Sequence, residues 1–366
     1  MNRRELIKLG GVSAASLALA APGARFAFAE RKRPGIADLS GNENPFGPAP
    51  AVAEALHETV DATNRYGFAQ ERELRQQIAE KEGVSVDHIV IGTGSTEMLN
   101  ATTLAYTPPG KHVIVADQSY SAVPAYARNI GREVVEVPLD NKLRFDLEAM
   151  NSLATNDTGL VYVVNPNNPT GTVVDSDKLR DFISSLPPET MVLVDEAYLE
   201  FTEDFDHRTM LDLVKKDMNV IVARTFSKIH GLAGMRIGYS VARPDISARL
   251  TGHKQCRFMG PLCAVAASVS LRQIEFQDFC RAKAKEGRQL TFDLCEKLGL
   301  EYAEGAGNFV FINTGMPNSE FKAKMAAKNV NTARPFPPRA TWARVTMGTT
   351  EEMQQFAEVL PQVIGG

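Results

Sequence analysis

The chain has 366 residues, 44% hydrophobic and 23% charged, with 40 Lys and Arg against 44 Asp and Glu and a net charge of −4. That length accommodates one large domain and a smaller one, and the composition is too apolar for a disordered chain. Near-balanced charge offers no basic field for nucleic acid or an anionic membrane surface.

Residues 1–29 read as a secretory signal. "MNRRELIKLG" carries Arg3, Arg4 and Lys8, a short apolar run "GVSAASLALAA" follows, and Ala27 and Ala29 suit a signal peptidase. The paired arginines, with a hydrophobic residue two further on, resemble a twin-arginine (Tat) export signal, so a periplasmic or exported location is expected. The apolar run is broken by Gly, Ser and Pro and is too short to span a bilayer. Cleavage would remove Arg3, Arg4, Lys8, Arg25 and Glu5, leaving 36 basic and 43 acidic residues and a charge of −7. No membrane association is expected after cleavage.

A polar arm over 30–50 comes next. Helical periodicity follows in "AVAEALHETVDA" and in "RELRQQIAEKEG", which stops at a glycine. Short β-branched runs then alternate with helical stretches. "HIVIGTG", "KHVIVAD", "REVVEVPL", "GLVYVVNP", "MVLVDEAY", "VIVARTFS" and "RIGYSVAR" read as strands, with helices over "STEMLNATTLAY" and "SAVPAYARNIG" among the connections. Near-continuous apolar strands between helices predict a mainly parallel sheet covered on both faces, an α/β fold. From about residue 243 a long charged helix, "NFVFINT", another helix and "WARVTMGTTEEMQQFAEVL" predict an α+β subdomain. The expected division is 51–243 for the large domain and 244–366 for the small one. Cys256, Cys263, Cys280 and Cys295 lack metal-ligand spacing and are expected as buried free thiols.

Ligands of open parallel sheets bind beyond the carboxyl ends of the strands, and there the unusual polar residues collect. Gly94, Ser95 and Thr96 form a turn opening a helix, suited to a phosphate by its free N–H groups, although many such turns are only turns. Asn168 in "NPNNPTG" either belongs to a rigid Asn-Pro turn or offers its amide at a strand end. Asp195 ends an apolar run, so its carboxylate is expected buried and in need of a charged partner. No GxxxxGK[ST] loop accompanies it, which removes a nucleotide-hydrolysing Mg²⁺ reading. Lys228 follows the apolar "VIVARTFS" and precedes close-packing glycines; an amine so placed has a lowered pKa and is a usable nucleophile. Together with Arg236 these groups match pyridoxal 5′-phosphate: an aldehyde for the lysine, a ring nitrogen for the carboxylate, a phosphate for the turn and the arginine.

The ordered set "GNENPFGP", "NRYG", "GTGST", "NPNNPTG", "VDEAYLEF", "TFSK", "GLAGMRIGY", "ARPF" and "RVTMGT" resembles the class I/II aminotransferases of fold type I, and within them the histidinol-phosphate aminotransferase branch, over about residues 38–360. The resemblance implies a three-layer α/β/α large domain with a mostly parallel seven-stranded sheet, plus a smaller α+β domain. It implies that Lys228 bonds the cofactor aldehyde and moves the proton, Asp195 pairs with the ring nitrogen, and Asn168 and Tyr198 bond the 3-oxygen. Gly94, Ser95, Thr96, Thr225, Ser227 and Arg236 would hold the phosphate and Tyr120 would stack on the ring. Tyr66 would reach the partner's phosphate in a homodimer with shared sites. Asn44, Arg334 and Arg344 would bind substrate: an amino donor, amino acid or amino-alcohol phosphate, and a keto acid acceptor. A decarboxylase or oxidative deaminase on the same fold is the alternative.

The chain also departs from that branch. Phe46 replaces a usual tyrosine, no proline follows Tyr66, "TGHKQCRFMGPLCAVAASV" replaces a typical Pro-Phe-Asn-Val segment, and His230 sits where an apolar or aromatic residue is commoner. Histidine biosynthesis is cytoplasmic, so an exported enzyme would not meet histidinol phosphate. The branch therefore guides the architecture more than the substrate.

Overall fold

A computed structural model describes residues 35–365; the expected signal segment and the start of the arm lie outside the described residues. Seven strands form the central sheet: β2 (Ile89–Thr93), β3 (His112–Ala116), β4 (Val134–Val137), β5 (Thr158–Val164), β6 (Met191–Asp195), β7 (Val220–Thr225) and β8 (Ile237–Ala242). Their order is β2-β8-β7-β6-β5-β3-β4, and β8 alone runs antiparallel to its neighbours. The expected mostly parallel, seven-stranded α/β sheet is what forms.

The reason lies in the strand sequences. Every residue of β5, β6, β7 and β8 is buried, as strands covered on both faces must be. The connecting helices have ordinary start signals. Asp175 caps Ser176–Ser185 by accepting from Asp177 N and Lys178 N, and Asp146 caps Leu147–Leu153 through Ala149 N. Proline opens the helices Pro50–Thr59, Pro244–His253 and Pro261–Leu271.

A second apolar cluster forms around the antiparallel pair β9 (Phe309–Asn313) and β11 (Trp342–Thr346), under the helices Ile274–Leu298 and Thr350–Ile364. Thr349 and Glu352 close a reciprocal capping box at the last helix. The arm enters this cluster too: β1 (Ala37–Leu39) pairs in parallel with β10 (Val330–Thr332), burying Ala37 and Leu39. Past residue 243, Ile246, Leu250, Ala264 and Ala267 pack into the core of the large sheet, so apolar packing does not follow one cut in the chain.

All four cysteines are free. Cys280 and Cys295 are buried as expected, but Cys263 is half-buried and Cys256 exposed. Cys256 falls in the loop after the helix Pro244–His253, where its backbone N–H donates to Glu97 Oε1 at 2.7 Å. Among the described residues, no helix is long and apolar enough to cross a membrane.

Candidate active site

At the carboxyl edge of the sheet lies a cavity of about 310 Å³, lined by Val164, Ala197 and Tyr198 of the large-sheet core and by Phe336 of a small apolar cluster with Phe311 and Trp342, and Lys228 lies on its wall. β7 stops at Thr225, and Phe226 anchors the following turn by packing on Tyr239 and His230. Ser227 N donates to Thr225 Oγ1, and Leu232 N returns to Phe226 O. The turn presents Lys228 Nζ to the cavity, 3.1 Å from Asn42 O and 5.4 Å from the centre of the Tyr198 ring. At Gly231 (φ +68°) the turn touches the arm so closely that a Cβ would collide with Gly47 O.

Asp195 lines the cavity at the end of β6. Its carboxylate accepts from Tyr162 OH at 3.2 Å and from Ala197 N at 3.1 Å, but no cationic side chain among the described residues bonds it. Burial pushes its carboxyl up to about 6, against the opposing pull of those two donors and of the Lys228 charge. The tyrosine hydroxyl of Tyr198 accepts from Asn168 Nδ2 at 3.3 Å and Asn42 Nδ2 at 3.1 Å, which leaves its own proton free to donate.

A second corner gathers positive potential. Ser95 and Thr96 begin the helix Ser95–Tyr106 and line the cavity with Arg236, Thr225 and Ser227; a helix N-terminus carries unpaired N–H groups and the positive end of the helix dipole. Arg236 takes a left-handed backbone (φ 53°) and donates to Ser227 Oγ at 3.2 Å and Ala233 O at 2.9 Å. Gly94 (φ +75°) lies directly under it, where a Cβ would strike Arg236 Nη2. Tyr120 lines the wall after β3.

The opposite wall carries Arg334, Phe336 and Arg344. Arg344 is buried, donating to Asn168 Oδ1 at 2.7 Å and Ser40 O at 2.8 Å, while its Nε has no partner. Desolvation, reinforced by the nearby Arg334 charge and only partly offset by Tyr198, lowers its guanidinium to about 10. Arg334 is exposed and donates to Pro335 O at 3.0 Å. No carboxylate pairs with either guanidinium among the described residues.

Of the residues expected in the site, all but Gly94, Tyr66 and Asn44 line the cavity, and Gly94 supports it from beneath. Asn44 is a correction. Its amide donates to Ile229 O at 2.8 Å and Cys280 Sγ at 3.2 Å, and its Oδ1 accepts from Phe46 N, so it stabilises a turn and points away. Asn42, two residues earlier, does the work at the site: it is buried, left-handed (φ 51°), and bonds Tyr198, Lys228 and Thr346. Tyr66 is 76% exposed and lies outside the cavity of its own chain, grouped with Phe68 and Phe258. His230 is a core residue, bonded to Ser270 Oγ at 2.8 Å and 3.5 Å from Glu200. Phe46 is buried edge-on against Phe279. Tyr162 and Phe336 were not foreseen; a tyrosine inside the apolar "GLVYVV" is itself a signal, since a buried hydroxyl needs a partner.

Residues 34–360 match the family model for aminotransferase class I and II. The chain belongs to that family. It is 36% identical to the histidinol-phosphate aminotransferase of Symbiobacterium thermophilum over 336 residues, covering 90% of this chain and 91% of that one. Against the Moorella thermoacetica enzyme of the same name identity is 35% over 332 residues, with 90% and 86% covered. The crystal structure of histidinol-phosphate aminotransferase from Sinorhizobium meliloti in complex with pyridoxal-5′-phosphate superposes with a TM-score of 0.84 at 29% identity, covering 90% of this chain and 91% of that one. The Porphyromonas gingivalis L-threonine-O-3-phosphate decarboxylase, at 20% identity and a TM-score of 0.78, covering 90% of this chain and all of its own, shares the aminotransferase's fold.

Proposed function

We propose that this aminotransferase uses pyridoxal 5′-phosphate to move an amino group from a donor bearing an anionic group, an amino acid or an amino-alcohol phosphate, to a keto acid. The observation carrying the reading is one cavity holding a lysine amine, a buried carboxylate without a bonded cation, and an arginine against a helix N-terminus. Each fits one part of the cofactor: aldehyde, ring nitrogen and phosphate. Ser95, Thr96, Thr225, Ser227 and Arg236 would hold the phosphate, Asn168 and Tyr198 the 3-oxygen, and Tyr120 the ring face. Bound there, the cofactor supplies an electron sink for the carbanion left when the donor's Cα loses its proton. Lys228 Nζ takes that proton and returns it, and Asp195 keeps the ring nitrogen protonated. Arg344 and Arg334 would take the donor's anionic group.

The exposed trio Tyr66, Phe68 and Phe258 supports a homodimer in which Tyr66 reaches the partner's site. Export through the twin-arginine route belongs to the same reading and rests on Arg3 and Arg4; replacing both with lysine should leave the protein in the cytoplasmic fraction.

The test is spectroscopic. The purified protein should show a visible band of bound cofactor that is absent in Lys228→Ala. Single donors, L-histidinol phosphate and L-glutamate among them, should bleach that band and a keto acid should restore it. A band that no donor converts would overturn the transamination reading, and release of the donor's α-carboxyl as CO₂, with the amine retained, would favour decarboxylation.

A further inference from the structure

We infer that Phe336, fastened by Gln118, is a positioning residue that sets the spacing of the Arg334 and Arg344 guanidiniums and so makes the site prefer a doubly charged anion to a singly charged one. The inference rests on the reading of these arginines as substrate anchors. Their guanidinium carbons lie 4.8 Å and 5.0 Å from the centre of the same Phe336 ring. Such contacts hold a cation by the negative face of the ring without discharging it.

The two like charges repel, and the rest of their bonds go to neutral oxygens: Pro335 O for Arg334, Asn168 Oδ1 and Ser40 O for Arg344. The pair therefore keeps both charges for a ligand. Compare Arg224, whose guanidinium is saturated by Glu82 and Glu196. Arg344 Nε, buried and without a partner, is a further donor that an anion in the cavity could use.

The ring cannot drift. Phe336 packs edge-on against Phe311 at 5.9 Å, and Phe311 lies against Trp342 at 5.0 Å. Its carbonyl accepts from Gln118 Nε2 at 2.9 Å, and Gln118 is buried and itself tied through its own carbonyl to Asn167 Nδ2 at 3.0 Å. Gln118 immediately precedes Ser119 and Tyr120 on the cavity wall. One hydrogen bond thus fixes the loop bearing Arg334 to the wall bearing Tyr120. A leucine at 336 would fill much of the space but give Arg334, which is exposed, no face to hold it over the cavity.

The experiment measures binding of inorganic phosphate and of acetate at pH 8 to the full-length holoenzyme, whose cofactor-phosphate corner is filled, with the visible band reporting an intact cofactor. Wild type should bind phosphate about tenfold or more tighter than acetate, a preference that Arg344→Ala abolishes. Phe336→Leu should weaken phosphate about tenfold and leave acetate within about twofold. Phe336→Tyr should restore the preference and Gln118→Leu should fall between. In turnover, Phe336→Leu should raise KM for the donor and spare kcat. No phosphate preference in wild type sinks the arginine reading itself. A preference that depends on Arg344 but survives both Phe336→Leu and Gln118→Leu overturns this inference alone. Equal loss for phosphate and acetate also overturns it, because that marks a general collapse of the wall.

Discussion

Asp195 and Glu196 are neighbours in sequence, both buried, and they are treated in opposite ways. Glu196 meets Arg224 at 2.9 Å and also accepts from Thr209 Oγ1 and Met210 N. Arg224 goes on to Glu82 at 2.6 Å, and Glu82 accepts from Tyr239 OH. Burial works against both charges, yet Glu196 and Glu82 hold the Arg224 guanidinium well above its ordinary range. Asp195, facing the cavity, has only neutral donors bonded to it. The arginines divide likewise: Arg224 is fully paired and Arg344 is not. Around Arg224 the chain supplies the counter-ions; at the cavity the counter-ion is left to the ligand.

Three substitutions probe this contrast, in falling order of effect. Lys228→Ala should lower turnover by about 10⁴-fold, since on the proposed function it removes both the covalent attachment and the proton carrier, while urea unfolding stays within about 1 kcal/mol of wild type. Arg224→Met should do the reverse. It leaves Glu196 buried without a bonded cation and Glu82 with only Lys81 at 3.9 Å, and should cost about 3–5 kcal/mol of stability, read in the same unfolding experiment. Arg344→Ala should raise KM for the donor by about tenfold or more, the worth of a charged hydrogen bond, with unfolding changed by less than about 1 kcal/mol. If Arg344→Ala unfolds the protein as Arg224→Met does, the two arginines are of one kind and the contrast fails.

Much of this was legible in the chain. Strands read as strands because both faces are buried, and their carboxyl ends carry Asn168, Asp195, Thr225 and Lys228 where the topology must gather them. What stayed hidden depends on contacts between distant segments. Asn42 and Asn44 are two residues apart in one polar stretch, and only the folded contacts tell them apart: Asn42 bonds Tyr198 and Lys228, Asn44 bonds Ile229 and Cys280. Phe336 acquires its place through Gln118, 218 residues earlier. Arg224 looks like an interruption of an apolar strand until Glu82 and Glu196 are seen beside it. Tyr66 lies outside the cavity of its own chain, and only the proposed homodimer would give it a role.

The smallest effect is the most discriminating. The Asp195 carboxyl is raised from an ordinary 3.8 to about 6, chiefly by burial. The folded, cofactor-free protein thus holds a proton on Asp195 between these values where the unfolded chain does not. Its contribution to stability is complete below about pH 3.8 and is lost as pH rises through about 6. At neutral pH the ionised carboxylate weakens the cofactor-free fold by on the order of 2–3 kcal/mol. Asp195→Asn keeps the shape without the charge. Cofactor-free Asp195→Asn should therefore unfold with about 1–2 kcal/mol more stability than wild type at pH 8, the amide recovering part of that burden, and with no gain near pH 4.5. Adding pyridoxal 5′-phosphate should reverse the ranking at pH 8, because a protonated ring nitrogen pairs with a carboxylate and not with an amide. A loss of stability in the cofactor-free substitution at pH 8 would make Asp195 a structural charge like its neighbour, and the difference between the two residues would disappear.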